Sequence, residues 1–302
     1  IKSSAASDVY KRQEYAVKYF GEEQLESNSF TYRLKTILDN VMYLMKHIME
    51  ELSQSEFFVA DCELKIGEDI PSYTIVLPDG HKIAVCGSVD RVDIMQRADI
   101  TYLRIIDYKT GTKQFKLSDI LYGINLQMLL YLHSIEASGG DKYGEIVPAG
   151  ILYMPATVPY ISSDSLKSID KLPDELNKKL KMNGLLLKDT EIIHGMDKTD
   201  VATYIPVKIK AGEPVSSTSL ATLAEFGKIF KKVDMLIAEM GKNIYNGNIE
   251  AKPLKGGHDS CEYCPYDSVC AYRQSNPITC FSVDNKTVIE EITNEINGKE
   301  EE

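Results

Sequence analysis

No apolar run in this sequence approaches the roughly 18 residues that a membrane-crossing helix needs, so a transmembrane helix is excluded. No signal-peptide pattern is present. No G-x-x-x-x-G-K-(S/T) phosphate loop occurs, so ATP hydrolysis cannot be assigned to these residues. Internal repeats and low-complexity stretches are absent as well. Cysteine is scarce, at six in 302 residues, which excludes a secreted disulfide scaffold. Three of the six cluster near the C-terminal end, as a metal site in a reducing, cytoplasmic compartment would.

The hydrophobic content of 43% suffices for one large domain or two small ones, and 26% charge argues against wholesale disorder. The net charge is −11, but residues 284–302 supply −5 of it. The remaining −6 is spread over a large domain, where a local groove can still be basic. The chain starts at Ile1, and SAASDVYKRQ resembles a translated sequencing adapter. Residues 1–13 are therefore set aside as non-native, with natural upstream sequence expected to be missing.

From Glu14 to Leu52 apolar residues recur at three- and four-residue spacing, through Leu34, Ile37, Leu38, Val41, Leu44, Met45 and Ile48, which predicts a helix. The period then changes. Phe57–Ile66, Tyr73–Leu77, Lys82–Met95 and Ile100–Tyr108 predict strands, with Pro78-Asp79-Gly80 marking a hairpin. Leu117–Ser138 predicts a helix stopped by Gly139-Gly140. Ile146–Met154 predicts a buried strand and Thr203–Lys208 a short one, with an insertion or loop-and-helix excursion over 155–200. Ser219–Tyr245 carries the clearest helical stripe, with Gly247 as its C-cap. This order indicates an α/β sandwich with a mixed sheet. The expected layout is a domain over 14–283: a helical lead 14–54, a core 55–250 and a cysteine loop 258–273. An acidic tail over 284–302 offers little to bury.

Gly87-Ser88-Val89-Asp90 closes one strand pattern and Asp107-Tyr108-Lys109 the next. Residues i and i+2 of a strand share a face, so Asp107 and Lys109 point together. Asp90 lies 17 positions before Asp107, and hairpin pairing can bring the two together. Two carboxylates suit a hard divalent cation such as Mg²⁺, which keeps several waters. Such a metal acidifies a bound water and polarises a phosphoryl oxygen. The lysine can orient the attacking water or offset charge on the phosphate. The competing reading of an Asp-x-Lys triplet is an ordinary strand end. Gln127 and Tyr131 lie four apart on one face of an otherwise apolar helix, placed to support a metal site or touch a phosphate. Asp93 should face away from Asp90, as a solvated or locally paired carboxylate, and His47 reads as an ordinary helix residue.

Cys261, Cys264 and Cys270 have C-x₂-C-x₅-C spacing. Three thiols in ten residues suit a metal centre. An iron–sulfur cluster usually takes four; a zinc site with His258 or Cys280 as fourth ligand is the rival. Cys62 and Cys86 read as small buried hydrophobes in strands.

In order and spacing, GSVD, DYK and QMLLY resemble the RecB-like PD-(D/E)XK nuclease superfamily, from about Phe57 through Arg273. The cysteine spacing resembles the iron-staple nucleases within it. With the long helix before Cys261 and KMNGLLLKD at 181–189, it is most similar to the AddB/RexB family, the B-type subunits of bacterial AddAB-type ATP-dependent helicase–nucleases. The resemblance implies a restriction-endonuclease-like fold with a mixed central sheet flanked by helices and a C-terminal iron–sulfur staple. It implies Asp90, Asp107 and the Tyr108 carbonyl as Mg²⁺ ligands, Lys109 as the catalytic lysine, and Gln127 and Tyr131 as the family's helix motif. Glu63 matches an accessory acidic position. Cys261, Cys264 and Cys270 would hold a 4Fe–4S cluster, its fourth cysteine lying upstream together with a family histidine. The implied activity is exonucleolytic processing of DNA double-strand breaks for recombinational repair. It would take place in a heterodimer with an A-type subunit, the B-type one cutting the 5′-ended strand. Two alternatives stay open. One is a stand-alone iron–sulfur exonuclease of the CRISPR-adaptation type, which the 155–200 excursion does not suit. The other is a catalytically idle DNA-binding scaffold, against which the intact Asp90, Asp107 and Lys109 stand.

Overall fold

The computed structural model describes residues 14, 17–19, 21, 27–111, 113–159, 172–216, 218–266, 268–270 and 277–300. The adapter-like segment 1–13 and the far end of the cysteine loop lie outside them. The chain forms two compact units, residues 1–50 and 51–302, with the boundary inside helix α1 (Asn28–Ser53). The Ser27 Oγ accepts the Phe30 N–H at 3.5 Å just before the helix starts. In the first unit α1 leaves Ile37, Val41, Met45 and Met49 exposed. Its last turn, Glu51–Ser53, belongs to the second unit.

The second unit is built on one mixed sheet of six strands. Their order is β1 (Phe58–Ile66), β4 (Gly87–Arg97), β5 (Ile100–Lys109), β6 (Glu145–Pro155), β7 (Asn183–Leu187) and β10 (Leu220–Ala221). β1, β4 and β5 pair antiparallel, β5 and β6 parallel, β6 and β7 antiparallel, β7 and β10 parallel. The parallel step requires a crossover, and helix α2 (Gln127–Ser138) lies within it, packed on β5 and β6. β2 (Tyr73–Val76) and β3 (Lys82–Val85) form a separate hairpin. Its turn is the expected Pro78-Asp79-Gly80, where Gly80 has φ 87° and donates to the Leu77 carbonyl. No helix among the described residues is long and apolar enough to cross a membrane.

Several expected boundaries move, each for a local reason. Lys82–Met95 is two strands, so GSVD opens β4 instead of closing a strand. Leu117–Ser138 is a 3₁₀ helix (Leu117–Tyr122) followed by α2. The break falls where Gly123 and Asn125 adopt φ 68° and 55°, and the Asn125 side chain donates to Asp119 at 2.6 Å. The 155–200 excursion contains α3 (Leu172–Leu180), α4 (Thr190–Met196) and β7, a strand of the central sheet. In β7, Leu185–Leu187 are buried on both faces, so the strand has no polar alternation to announce it. The strand expected at Thr203–Lys208 is displaced to β8 (Lys208–Lys210), paired with β9 (Glu213–Val215). The long helix starts at α5 (Leu223–Tyr245), because Thr222 and Glu225 form a capping box. The acidic tail is helix α6 (Asn285–Glu300), which buries Val288, Ile292 and Ile296 at four-residue spacing. The buried Lys232 on α5 holds Glu295 of α6 at 2.5 Å.

Between α2, β2 and α5, His133 stacks on Phe230 and lies 3.2 Å from both the Tyr73 hydroxyl and Asp234. Burial works against its charged form, yet Asp234 and Glu136 outweigh this and raise its pKa to about 9.

Beneath β4 and β5 lies a cluster of four charges, each at most 2% exposed: Glu51, Arg91, Asp93 and Arg104. Arg91 grips Asp93 with two bonds, Nε at 2.7 Å and Nη2 at 2.6 Å. Arg104 reaches Asp93 at 3.0 Å and Glu51 at 2.6 Å, and Arg91 reaches Glu51 at 3.0 Å. Burial pushes the Asp93 carboxyl upward, but the guanidiniums of Arg104 and Arg91 prevail and hold it below the ordinary carboxylate range. Removing one member of such a buried set strands its partners without compensation. Asp93→Ala is expected to lower stability by about 3–5 kcal/mol in chemical denaturation; a loss under about 1 kcal/mol would contradict the cluster's role.

Candidate active site

β4 and β5 pair with Arg91 opposite Ile106. One step further along the same register sets Asp90 opposite Asp107. Because strand side chains alternate, the two strands present two unlike faces. One carries Asp90, Asp107 and Lys109. The other carries Arg91, Asp93, Arg104 and Tyr108, whose hydroxyl accepts from Arg91 at 3.3 Å. The Asp90 Oδ2 accepts the Tyr108 backbone N–H at 2.9 Å, fixing this carboxylate against the neighbouring strand. The Lys109 ammonium forms an ion pair with Asp107 Oδ2. That buried oxygen nevertheless lacks an aligned hydrogen bond.

The parallel register sets Tyr153 of β6 beside Asp107, a neighbour that no local pattern foretold. Tyr153 is 2% exposed, its hydroxyl has no hydrogen-bond partner among the described residues, and the Lys109 ammonium sits 5.4 Å from its ring centre. Burial, and then the nearby Asp107 and Asp119, raise the phenol to about 12.

Gln127 is exposed at the first position of α2, and Tyr131, one turn later, is half-buried. Tyr131 packs directly on Gly87, three residues before Asp90. A Cβ on Gly87 would fall 2.3 Å from the Tyr131 hydroxyl oxygen and within 2.7 Å of its ring. The glycine of GSVD thus makes room for the tyrosine of QMLLY, which explains why two motifs 40 residues apart belong together. Glu63 on β1 is bracketed by the pairs Cys62–Arg91 and Leu64–Val89, which sets it across from Asp90. Its φ is 54°, and its exposed carboxylate accepts from Ser88 at 3.1 Å.

Among the described residues no three His, Cys, Asp or Glu side chains form a group that could hold a metal ion. Mg²⁺ does not require one, since it is commonly held by one or two carboxylates with waters completing its shell. The buried Asp107 oxygen, which has the Lys109 ammonium beside it but no aligned hydrogen bond among the described residues, lies next to Asp90 and fits that donor set.

The cysteine loop lies between β11 (Leu254–Gly256) and β12 (Ile278–Cys280), which pair in parallel. Cys261, Cys264 and Cys270 are half-buried and free of disulfides, in a loop shaped by bonds from Cys264 N to the Cys261 carbonyl and from Cys270 N to the Tyr266 carbonyl. Their soft sulfur donors suit iron–sulfur or zinc chemistry. His258 is exposed. Cys280 is buried, with its thiol pKa raised by burial and by Asp119. Cys62 and Cys86 are exposed, contrary to the expected burial: β1 is an edge strand, and Cys86 lies in the link between β3 and β4.

A mixed sheet with two carboxylates and a lysine together at one strand end is the arrangement of a nuclease-type domain. A family model of the PD-(D/E)XK nuclease superfamily matches residues 4–271, and the chain belongs to that superfamily. Among individual proteins, it is 38% identical over 246 residues to the B-type subunit of the ATP-dependent helicase/deoxyribonuclease of Thermoanaerobacter sp. (strain X514), covering 80% of this chain and 21% of that protein. It is 36% identical over 275 residues to the counterpart from Alkaliphilus oremlandii, covering 87% of this chain and 24% of that one. It is 36% identical over 281 residues to that of Clostridium kluyveri, covering 90% and 24%. The chain thus spans between a fifth and a quarter of the length of these curated relatives.

The Gly87–Tyr131 contact makes a quantitative expectation. Gly87→Ala should cost roughly 1–3 kcal/mol through overpacking. Tyr131→Ala should cost less in that background than in the parent, because it relieves the clash. Additive losses in thermal or chemical denaturation of the four proteins would rule out the contact.

Proposed function

We propose that this chain is the nuclease portion of the B-type subunit of a bacterial helicase–deoxyribonuclease, cutting DNA exonucleolytically during double-strand break processing. The carrying observation is the placement of Asp90, Asp107 and Lys109 on one face at one strand end, in a chain of the PD-(D/E)XK superfamily. The similarity to B-type helicase/deoxyribonuclease subunits supports DNA as substrate and, for heterodimer partner, a helicase-bearing A-type subunit.

Asp90, Asp107 and the Tyr108 carbonyl are the residues that would hold Mg²⁺. Bound there, the ion supplies Lewis-acid polarisation of the phosphoryl group and acidifies water. Lys109, held at Asp107, aims its ammonium at the reacting phosphate and offsets the charge that builds there. The water oxygen attacks phosphorus, the bond to the 3′ oxygen breaks, and the departing oxygen takes a proton. The product end is a 5′-phosphate. Tyr131, seated on Gly87, steadies the entry to β4, and Gln127 at the exposed start of α2 is placed for a DNA phosphate.

Linear duplex DNA incubated with Mg²⁺ and the full gene product tests this reading. The parent should release nucleotides, EDTA should stop it, and Asp107→Ala should abolish it while melting like the parent. Lys109→Ala should lose about 10²–10³-fold in rate. A folded parent that binds DNA without cutting it would replace the nuclease reading with the idle scaffold.

Cys261, Cys264 and Cys270 belong in this proposal as ligands of a 4Fe–4S staple whose fourth cysteine comes from outside the described residues. Anaerobically purified protein should carry about four irons per chain. Cys264→Ala should lose them and lower the melting temperature; stoichiometric zinc in place of iron would reverse the assignment.

A further inference from the structure

Six residues after Asp107 the chain presents a second lysine to the same aromatic ring. The Lys113 ammonium lies 5.3 Å from the centre of the Tyr153 ring, and that of Lys109 lies 5.4 Å from it. Lys109 is neutralised by Asp107. Lys113 makes no ion pair with any described residue. Burial and the repulsion of Lys109 both lower its pKa, against the weaker pull of Asp107 and Asp119.

The lysine is also held in place. Asn183, at the start of β7, lies beside Tyr153 in the sheet. Its amide donates to the Lys113 carbonyl at 3.2 Å, and its carbonyl oxygen accepts the Phe115 N–H at 2.7 Å. One side chain thus clamps the loop that leaves β5 at both ends of a three-residue turn. Lys113 lines a cleft shared with Lys116, Asp119, Asn125 and His258. A partly desolvated cation with no ion-pair partner among the described residues, fixed beside a site that handles phosphodiesters, is arranged to receive an anion.

We propose that Lys113 binds a phosphate of the DNA strand next to the one being cut, with Asn183 as its positioning residue. The proposal rests on the nuclease reading and adds a substrate contact to it. Lys113 does not touch the reacting phosphate, so its removal should act on DNA binding and leave the chemical step nearly intact.

The test uses the full gene product and a fluorescent linear duplex. Affinity is measured across a salt series with Ca²⁺ in place of Mg²⁺, and cleavage separately with Mg²⁺. Lys113→Gln keeps the aliphatic stem on Tyr153 and removes the charge; Lys113→Arg keeps the charge. Lys113→Gln should weaken binding roughly tenfold, raise KM by a similar factor and leave kcat within about twofold. It should also reduce the slope of log affinity against log salt by about 1, which a merely structural role would not do. Lys113→Arg should restore both, and Asn183→Ala should weaken binding in the same direction. An unchanged salt slope and KM in Lys113→Gln, with an active parent, would overturn the proposal and leave the nuclease reading standing. A parent that binds DNA but never cuts it would overturn the nuclease reading, while the salt slopes still decide the role of Lys113. A parent that neither binds nor cuts would overturn both.

Discussion

Four charged side chains sealed beneath β4 and β5 set the terms for the rest of the molecule. Glu51, Arg91, Asp93 and Arg104 have almost no access to water, so each depends on the two of opposite sign to replace its solvation. Two of them lie on β4, one on β5 and one at the end of α1. A slip of one residue in β4 would turn Arg91 and Asp93 outward and leave Glu51 with Arg104 alone, and a slip in β5 would turn Arg104 outward and strand both carboxylates on Arg91. The cluster therefore fixes register as well as fold. Register in turn decides which residues alternate with it. Asp90 adjoins Arg91 in sequence, and Tyr108 lies between Asp107 and Lys109. Locking the inner face of the strand pair thus places the chemical face.

The chemical face is then refined by contacts that are individually small. The Tyr108 amide holds Asp90, Asp107 holds Lys109, and Gly87 lets Tyr131 lie against the first residues of β4. β6 contributes Tyr153 through parallel pairing with β5, and β7 contributes Asn183 through antiparallel pairing with β6. Strands from three parts of the chain are needed before the surroundings of Lys109 are complete. This is why the site sits on the central strands, whose neighbours on both sides restrain them.

Much of this was legible in the residues. The strand character of this region follows from its β-branched and aromatic residues, the hairpin at Pro78-Asp79-Gly80 from turn chemistry, and the shared face of Asp107 and Lys109 from period-2 geometry. What stayed hidden depends on non-local packing. Asp93 looked like a solvated or locally paired carboxylate, and only the second arginine and Glu51, 42 positions earlier, show why it is buried. β7 is too short and too uniformly apolar to be told from a loop. α6 looked like a solvated tail because its Val288, Ile292 and Ile296 stripe is thin among acids; the strip becomes meaningful only once α5 is there to receive it. Helix breaks at Gly123 and Asn125 depend on left-handed backbone that composition does not reveal. The cysteine loop stands out by its spacing, its 4Fe–4S ligand set is what the resemblance implies, and folding adds the paired strands that bracket the loop.

The proposed divalent-cation site between Asp90 and Asp107 depends on this register. The most direct measurement is an anomalous difference map from crystals of the full gene product soaked with Mn²⁺. The account predicts a peak between these two carboxylates, beside the Tyr108 carbonyl, and none there in Asp107→Asn. A peak elsewhere, or an equal peak in Asp107→Asn, would contradict it.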